Sequence, residues 1–221
     1  MSNPIKPNFK TEIIPILVLL ITAVSSFYFY YNFPEQVATH WNIAGEADGW
    51  SSRVFAAFGF PMIMLGMYLL FFILPYLDPR KNRYGQFRKV YHFFKGILVF
   101  FMAFIYFISG FKNIGYNINL ELWIPITVGA LFMLLGNYMG KIKPNWFLGI
   151  RTPWTLSSEE VWNKTHRFSG RMFLIAGLLM MLTGFSPIGL KMPIFVTAMT
   201  IILLGTIGYS YLAYRQEENK K

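Results

Sequence analysis

Two polar stretches hold nearly all the side chains of this chain that could do chemistry. The first, from Asn32 to Arg53, reads NFPEQVATHWNIAGEADGWSSR. His40, Glu46 and Asp48 offer the imidazole and carboxylate donors that suit zinc and similar ions, and His40 with an aspartate resembles an acid–base pair. One histidine and two acids in a turn-rich segment are a sparse ligand set, however, and no nucleophile accompanies the pair. The same residues, with Trp41, Asn42, Gly45, Gly49 and Trp50, also suit an acidic, aromatic rim that recognises an external amphipathic partner, or a structural lid over the helices. We expect recognition, with no metal and no catalytic residue. Pro34 should end or redirect the preceding helix. Val37 to Ile43 reads as extended, and Ala44-Gly45 and Asp48-Gly49 both read as turns.

The second stretch lies between Gly136 and Gly170. Asn145, Arg151, Thr152, Trp162, His166 and Arg167 would suit a phosphate or headgroup cradle, because guanidinium groups and helix N-terminal amides favour anions. Acid–base or nucleophilic work needs a placed base–nucleophile pair, and the Walker, HExxH and GxSxG motifs are all missing. The alternatives are docking of lipid or protein, structural stitching, and a membrane enzyme acting on lipid or envelope precursors. We expect no enzyme and no cofactor. Pro144, Gly149 and Pro153 argue against a continuous helix, while Trp146 and Trp154 can anchor at headgroup depth beside a wet Arg151. Ser157 and Glu160 then read as a capping box. Val161, Trp162, Thr165, His166, Ser169 and Phe173 share one helical face, and Glu160 and Lys164 form an i,i+4 pair on another.

The elements that must position these stretches are membrane helices. Among 221 residues, 55% are apolar and 19% aromatic, against 45–50% apolar in ordinary soluble domains. Six apolar runs, at about 12–31, 55–75, 94–112, 121–139, 170–187 and 192–213, approach the roughly 20 residues that span a bilayer. The expected fold is an all-α integral membrane protein, a six-transmembrane helical bundle with one ordered extracytoplasmic loop. Its parts would be residues 1–60 (first span and outer loop), 61–120 (middle spans and a basic loop), 121–213 (a second module) and 214–221 (a tail).

Charge placement orients the bundle. Lys6, Lys10, Arg80, Lys81, Arg83, Arg88, Lys89, Lys95, Lys141, Lys143, Arg151, Lys164, Arg167, Arg171, Arg215, Lys220 and Lys221 fall on one side, leaving Arg53, Lys112 and Lys191 on the other. Both termini are therefore expected in the cytoplasm. The net charge of +10 reads as topology and contact with anionic lipid, not direct nucleic-acid binding. The first apolar run should be retained, since it continues through Phe27 to Tyr31 beyond any cleavage-like site. Cysteine is absent, which excludes disulfides and thiolate chemistry.

Three further expectations concern the helices. Tyr84, Phe87, Tyr91 and Phe94, spaced by three and four, suggest a basic helix lying in the headgroup region, with His92 at an interface or in packing. Gly129, Gly136 and Gly140 share a face suited to close helix approach, and Asn137, costly to bury within that span, is expected to hydrogen-bond to a neighbouring helix. The spans hold essentially no ionisable residue away from their ends, which disfavours a coupled ion transporter.

The run Gly136-Asn137, Asn145-x-Phe147-x-Gly149-Ile150-Arg151-Thr152-Pro153-Trp154-Thr155 and Trp162-x-x-Thr165-His166 closely resembles the signature of the SdpI (Sdp toxin immunity protein) family over about residues 125–200. Phe33-Pro34-Glu35-Gln36, Thr39-His40-Trp41-Asn42 and Gly45-Glu46-x-Asp48-Gly49 resemble the amino-terminal DUF1648-type domain often joined to it. The resemblance implies a multi-pass membrane protein of a Gram-positive bacterium that protects against a secreted peptide toxin. It also implies signal transduction, in which a cytoplasmic transcriptional repressor is held at the membrane. On that reading the outer loop meets the toxin. Asn137, Asn145, Phe147, Gly149, Arg151, Thr152, Pro153, Trp154, Trp162, Thr165 and His166 would be the cytoplasmic docking motif.

Overall fold

A computed structural model describes residues 5–220. Helix α1 (Phe9–Asn32) is capped by Asn8, whose side chain accepts from the Thr11 amide while Thr11 returns a contact to the Asn8 N–H. It ends one residue before Phe33-Pro34, where proline disfavours helical backbone in the residue ahead of it. Two strands follow, β1 (Gln36–Trp41) and β2 (Ala47–Ser52), then a π-helical turn (Phe55–Gly59) that runs into α2 (Phe60–Leu77). A 3-10 helix (Lys81–Phe87) leads into α3 (Arg88–Asn113), followed by α4 (Leu120–Met139), the short α5 (Pro153–Ser157), α6 (Glu159–Thr183) and α7 (Ile188–Glu218).

The antiparallel β1–β2 hairpin is the departure from an all-helical chain. Ala44-Gly45 is a turn, as expected. Asp48-Gly49 is not: both residues lie in β2, with Gly49 paired to His40. Asp48 itself has no partner on β1: it is the extra residue at the slip between His40 and Trp41, as Thr39 is at the slip between Ala38 and His40.

Among the described residues, five helices are long and apolar enough to cross a membrane: Phe9–Asn32, Phe55–Leu77, Lys81–Asn113, Leu120–Met139 and Ile188–Glu218. The remaining predicted run, 170–187, falls on α6. That helix begins with a polar half and stops at Thr183, so its apolar stretch is shorter than the sequence pattern suggested. The turn after it is Gly184 to Pro187, and Ile188 already belongs to α7.

The chain forms two compact units. One comprises 7–72 and 95–124; the other comprises 73–94 and 125–220 with the last described residues of the amino-terminal tail. In the first, Phe29, Phe33, Val37, Ala57 and Tyr106 form a buried cluster, and the Tyr106 hydroxyl donates to the Ala57 carbonyl at 2.8 Å. The hydroxyls of Thr22 and Ser26 bond back to carbonyls of their own helix, so these buried polar groups are satisfied.

In the second unit, α6 and α7 pack along one another, with Phe168 stacked on Tyr209 at 4.0 Å and Ala176, Met180 and Ala198 forming a buried cluster. Helices α4 and α6 meet through glycines on both sides: Gly129 faces Gly177, and Gly136 faces Gly170. A Cβ on Gly177 would lie 2.6 Å from the Gly129 carbonyl oxygen, so the backbones approach as closely as glycine allows. Gly177→Ala should therefore lower stability by about 1–3 kcal/mol, the usual range for overpacking. Gly208→Ala, where nothing lies within 4 Å, should be neutral or slightly stabilising. Thermal unfolding of both variants in detergent checks this.

Asn137 is exposed, so it does not need the interhelical partner expected of a buried amide. The basic segment 76–95 also differs from expectation. Tyr84, Phe87, Tyr91 and Phe94 are all buried in the protein, so this aromatic face packs on the chain itself instead of on lipid, and its first part is 3-10 helix.

Candidate functional site

The outer hairpin is tight at its tip. The Asn42 carbonyl group of the side chain accepts from the amides of Ala44 (2.9 Å) and Glu46 (3.1 Å), and its NH2 donates to Glu46 (3.0 Å). Gly45 has φ +75°, a left-handed conformation that disfavours any residue with a Cβ. Val37 is buried and anchors the hairpin in the apolar cluster.

The opposite face holds the groups with chemical potential. His40 Nδ1 lies 2.5 Å from Asp48 Oδ1, and these side chains are 72% and 44% exposed. Trp50 is also exposed. Burial supplies no reason for this pair, which leaves both groups accessible to a ligand. Beneath the strands lies an apolar hollow of about 210 Å³, lined by Phe33, Val37, Trp41, Phe60 and Tyr106 among others. No cluster of three potential metal ligands occurs among the described residues, and Glu46 accepts a hydrogen bond from Asn42.

The inner segment is organised from within. Asn145 is fully buried, donates to the carbonyls of Lys143 and Leu148, and accepts from the amides of Phe147 and Leu148. One side chain thus folds the whole bend from 143 to 148. Gly149 has φ +107°, and a Cβ there would collide with His166. Thr152 caps α5 through a capping box with Thr155, and Pro153 occupies the first turn, where its missing N–H costs nothing. The cap of α6 is Ser158, which accepts from the Val161 amide. Ser157 instead donates to the Trp154 carbonyl, so the predicted cap is one residue early.

Trp162 and His166 form the centre. Trp162 is fully buried, its Nε1–H donates to the Ile142 carbonyl at 2.9 Å, and its ring stacks on His166 at 4.1 Å. The Ile150 amide donates to His166 Nε2 at 3.0 Å. Nε2 is therefore the acceptor, and Nδ1 carries the proton that it donates to the Trp162 carbonyl at 2.9 Å. Burial holds the imidazole down at about 4, against the opposing pull of that carbonyl. With both nitrogens engaged, this histidine has no free base to offer. Thr165 is buried on the same face and its hydroxyl has no hydrogen-bond partner among the described residues. Of the motif's residues Asn137, Arg151 and Pro153 are exposed, as is the neighbouring Trp146; Arg151 donates to the Trp146 carbonyl at 2.7 Å. Trp154 packs on Tyr211 at 5.1 Å, and Glu160 and Lys164 pair as expected.

Two groups were not apparent from sequence. Asp78 is buried and accepts from the Arg80 amide (2.7 Å), the Tyr84 hydroxyl (2.8 Å) and the Trp146 amide (2.9 Å). It is one acid among many cations, and only its neighbour Pro79 hinted at a turn. The second is an ion pair in the other unit, Lys95 to Glu12 at 2.5 Å, where Tyr68 also donates to Glu12 at 2.7 Å. Lys95 is thus a buried partner of Glu12, not the loop cation that the charge count made of it, and both residues lie at the ends of the predicted apolar runs.

Residues 141–211 match the SdpI/YfhL protein family, and residues 17–65 match a domain of unknown function, DUF1648. The chain is 28% identical over 177 residues to "Immunity protein SdpI" of Bacillus subtilis (strain 168), covering 80% of this chain and 82% of the relative. No solved structure matches it.

Proposed function

Because the chain joins a DUF1648 segment to an SdpI/YfhL-family segment in a multi-pass membrane protein, we propose that it is a bacterial immunity protein that neutralises a secreted peptide toxin at the cell membrane. The observation that carries this reading is the outer hairpin: a rigid platform presenting an exposed His40–Asp48 pair and Trp50, with Trp41 at the edge of an apolar hollow. A polar pair beside an apolar recess suits one end of an amphipathic peptide, and an exposed indole is a frequent anchor of such contacts.

In this reading α6 supplies a sixth crossing and both termini face the cytoplasm, as the distribution of Lys and Arg favours. Residues 17–65 form the receiving part. The exposed Trp146 and Arg151, with the basic inner loops, are the surface available to a cytoplasmic repressor. Asn145, Gly149, Trp162 and His166 hold that surface in shape from inside.

Protection is the test. In a toxin-sensitive Gram-positive host, the unmodified chain should preserve membrane potential during challenge with an Sdp-type peptide. His40→Ala, Trp41→Ala, Asp48→Ala and Trp50→Ala should each lower the tolerated toxin concentration by about 30-fold, the equivalent of losing a ~2 kcal/mol contact. Full protection by all four variants, at equal membrane abundance, would sink the assignment of the hairpin as the toxin site.

A further inference from the structure

Four of the inner-loop cations are used by the fold. Arg80 donates to the Leu156 carbonyl, Arg83 pairs with Glu159, Arg151 donates to the Trp146 carbonyl and Lys164 pairs with Glu160. Arg88, Lys89, Lys141 and Lys143 are different. Among the described residues none of these four side chains has a carboxylate partner, yet all four line one cleft of about 820 Å³. No acidic residue lines it. Its floor is aromatic: Phe93 and Tyr138 lie 4.4 Å apart, and Lys141 Nζ sits 4.5 Å from the Tyr138 ring centroid.

We propose that this cleft binds the phosphodiester headgroup of an anionic phospholipid. Four like charges held together without counter-charge repel one another, and a bound anion removes that repulsion. Position selects the source of the anion. Arg88 opens α3, and Lys141 follows α4 by two residues; both helices are long and apolar enough to cross a membrane. The cleft therefore lies where such helices enter the headgroup layer, and basic pockets between membrane helices suit anionic lipid headgroups. Phe93 and Tyr138 give the glycerol and first acyl carbons an apolar surface.

The experiment uses the full chain and needs no toxin, so its result is independent of the immunity reading. The protein is reconstituted in phosphatidylcholine vesicles with and without phosphatidylglycerol, and lipid binding and thermal midpoint are measured. Binding of phosphatidylglycerol should raise the midpoint. Arg88→Gln/Lys141→Gln/Lys143→Gln should weaken that binding by roughly fivefold per cation removed. A charge-matched control, Lys10→Gln/Arg171→Gln/Lys220→Gln, should leave most of it. Equal losses in the two triple variants, or no response to phosphatidylglycerol, overturn the proposal. So does glycerol phosphate in detergent giving the whole effect, because the cleft would then be a site for a free anion. An acidic protein that binds the cleft regardless of lipid composition would overturn it as well.

Discussion

Glu12→Gln should destabilise the protein by about 3–5 kcal/mol, the usual penalty for removing one partner of a buried pair. The side chain of Lys95 is 2% exposed, with its Nζ 2.5 Å from Glu12 and 4.2 Å from the Phe72 ring centroid. Glutamine still accepts from the Tyr68 hydroxyl, so the loss isolates the charge. An ammonium without a counter-ion in an apolar helix bundle cannot recover its hydration, and the aromatic faces of Phe72 and Tyr68 compensate only part of it. Glu12→Gln with Lys95→Met removes both charges and should return within about 1–2 kcal/mol of the unmodified protein. The four unfolding curves of this cycle, measured in one detergent, give the coupling. Equal instability of the single and double variants would show that packing, not charge, governs the position.

Trp162→Ala should have an effect of similar size, about 3–5 kcal/mol. The substitution opens a large cavity, leaves the Ile142 carbonyl without its donor and removes the surface on which His166 stacks. His166 is the acceptor for the Ile150 amide, so the bend before α5 loosens with it. Trp162→Phe keeps much of the ring but not the N–H, and should cost only about 1–3 kcal/mol, the range for a buried acceptor left alone. Proteolysis near 143–151 gives a second readout, with Trp162→Ala cleaved faster than Trp162→Phe. Identical behaviour of the two would mean that the hydrogen bond alone matters.

Features set by near neighbours were legible in the sequence. The break at Phe33-Pro34, the Ala44-Gly45 turn, the Glu160–Lys164 pair and the buried face of Val161, Trp162 and His166 follow from residue type and spacing. The small-residue face of α4 was visible too, although not that Gly170 and Gly177 answer it from α6. What remained hidden depends on partners far along the chain. Lys95 looked like one more loop cation because Glu12 is 83 positions away. Asp78 meets the Trp146 amide across 68. Asp48-Gly49 has the composition of a turn, and it is extended only because β1 lies beside it.

The hairpin illustrates a further effect of such distances. The Asn113 side chain accepts from the Ala38 amide and donates to the Ala38 carbonyl, both at 2.9 Å and across 75 positions. In effect the amide takes the place of a third strand at that point, covering an edge that would otherwise invite another chain to pair. Its arrival also sets an order of assembly. The strands can meet as soon as they are synthesised, but their exposed rim is closed only after α2 and all of α3, which ends at Asn113, have been made. During that interval the rim of the nascent hairpin offers unpaired backbone to any other chain beside it.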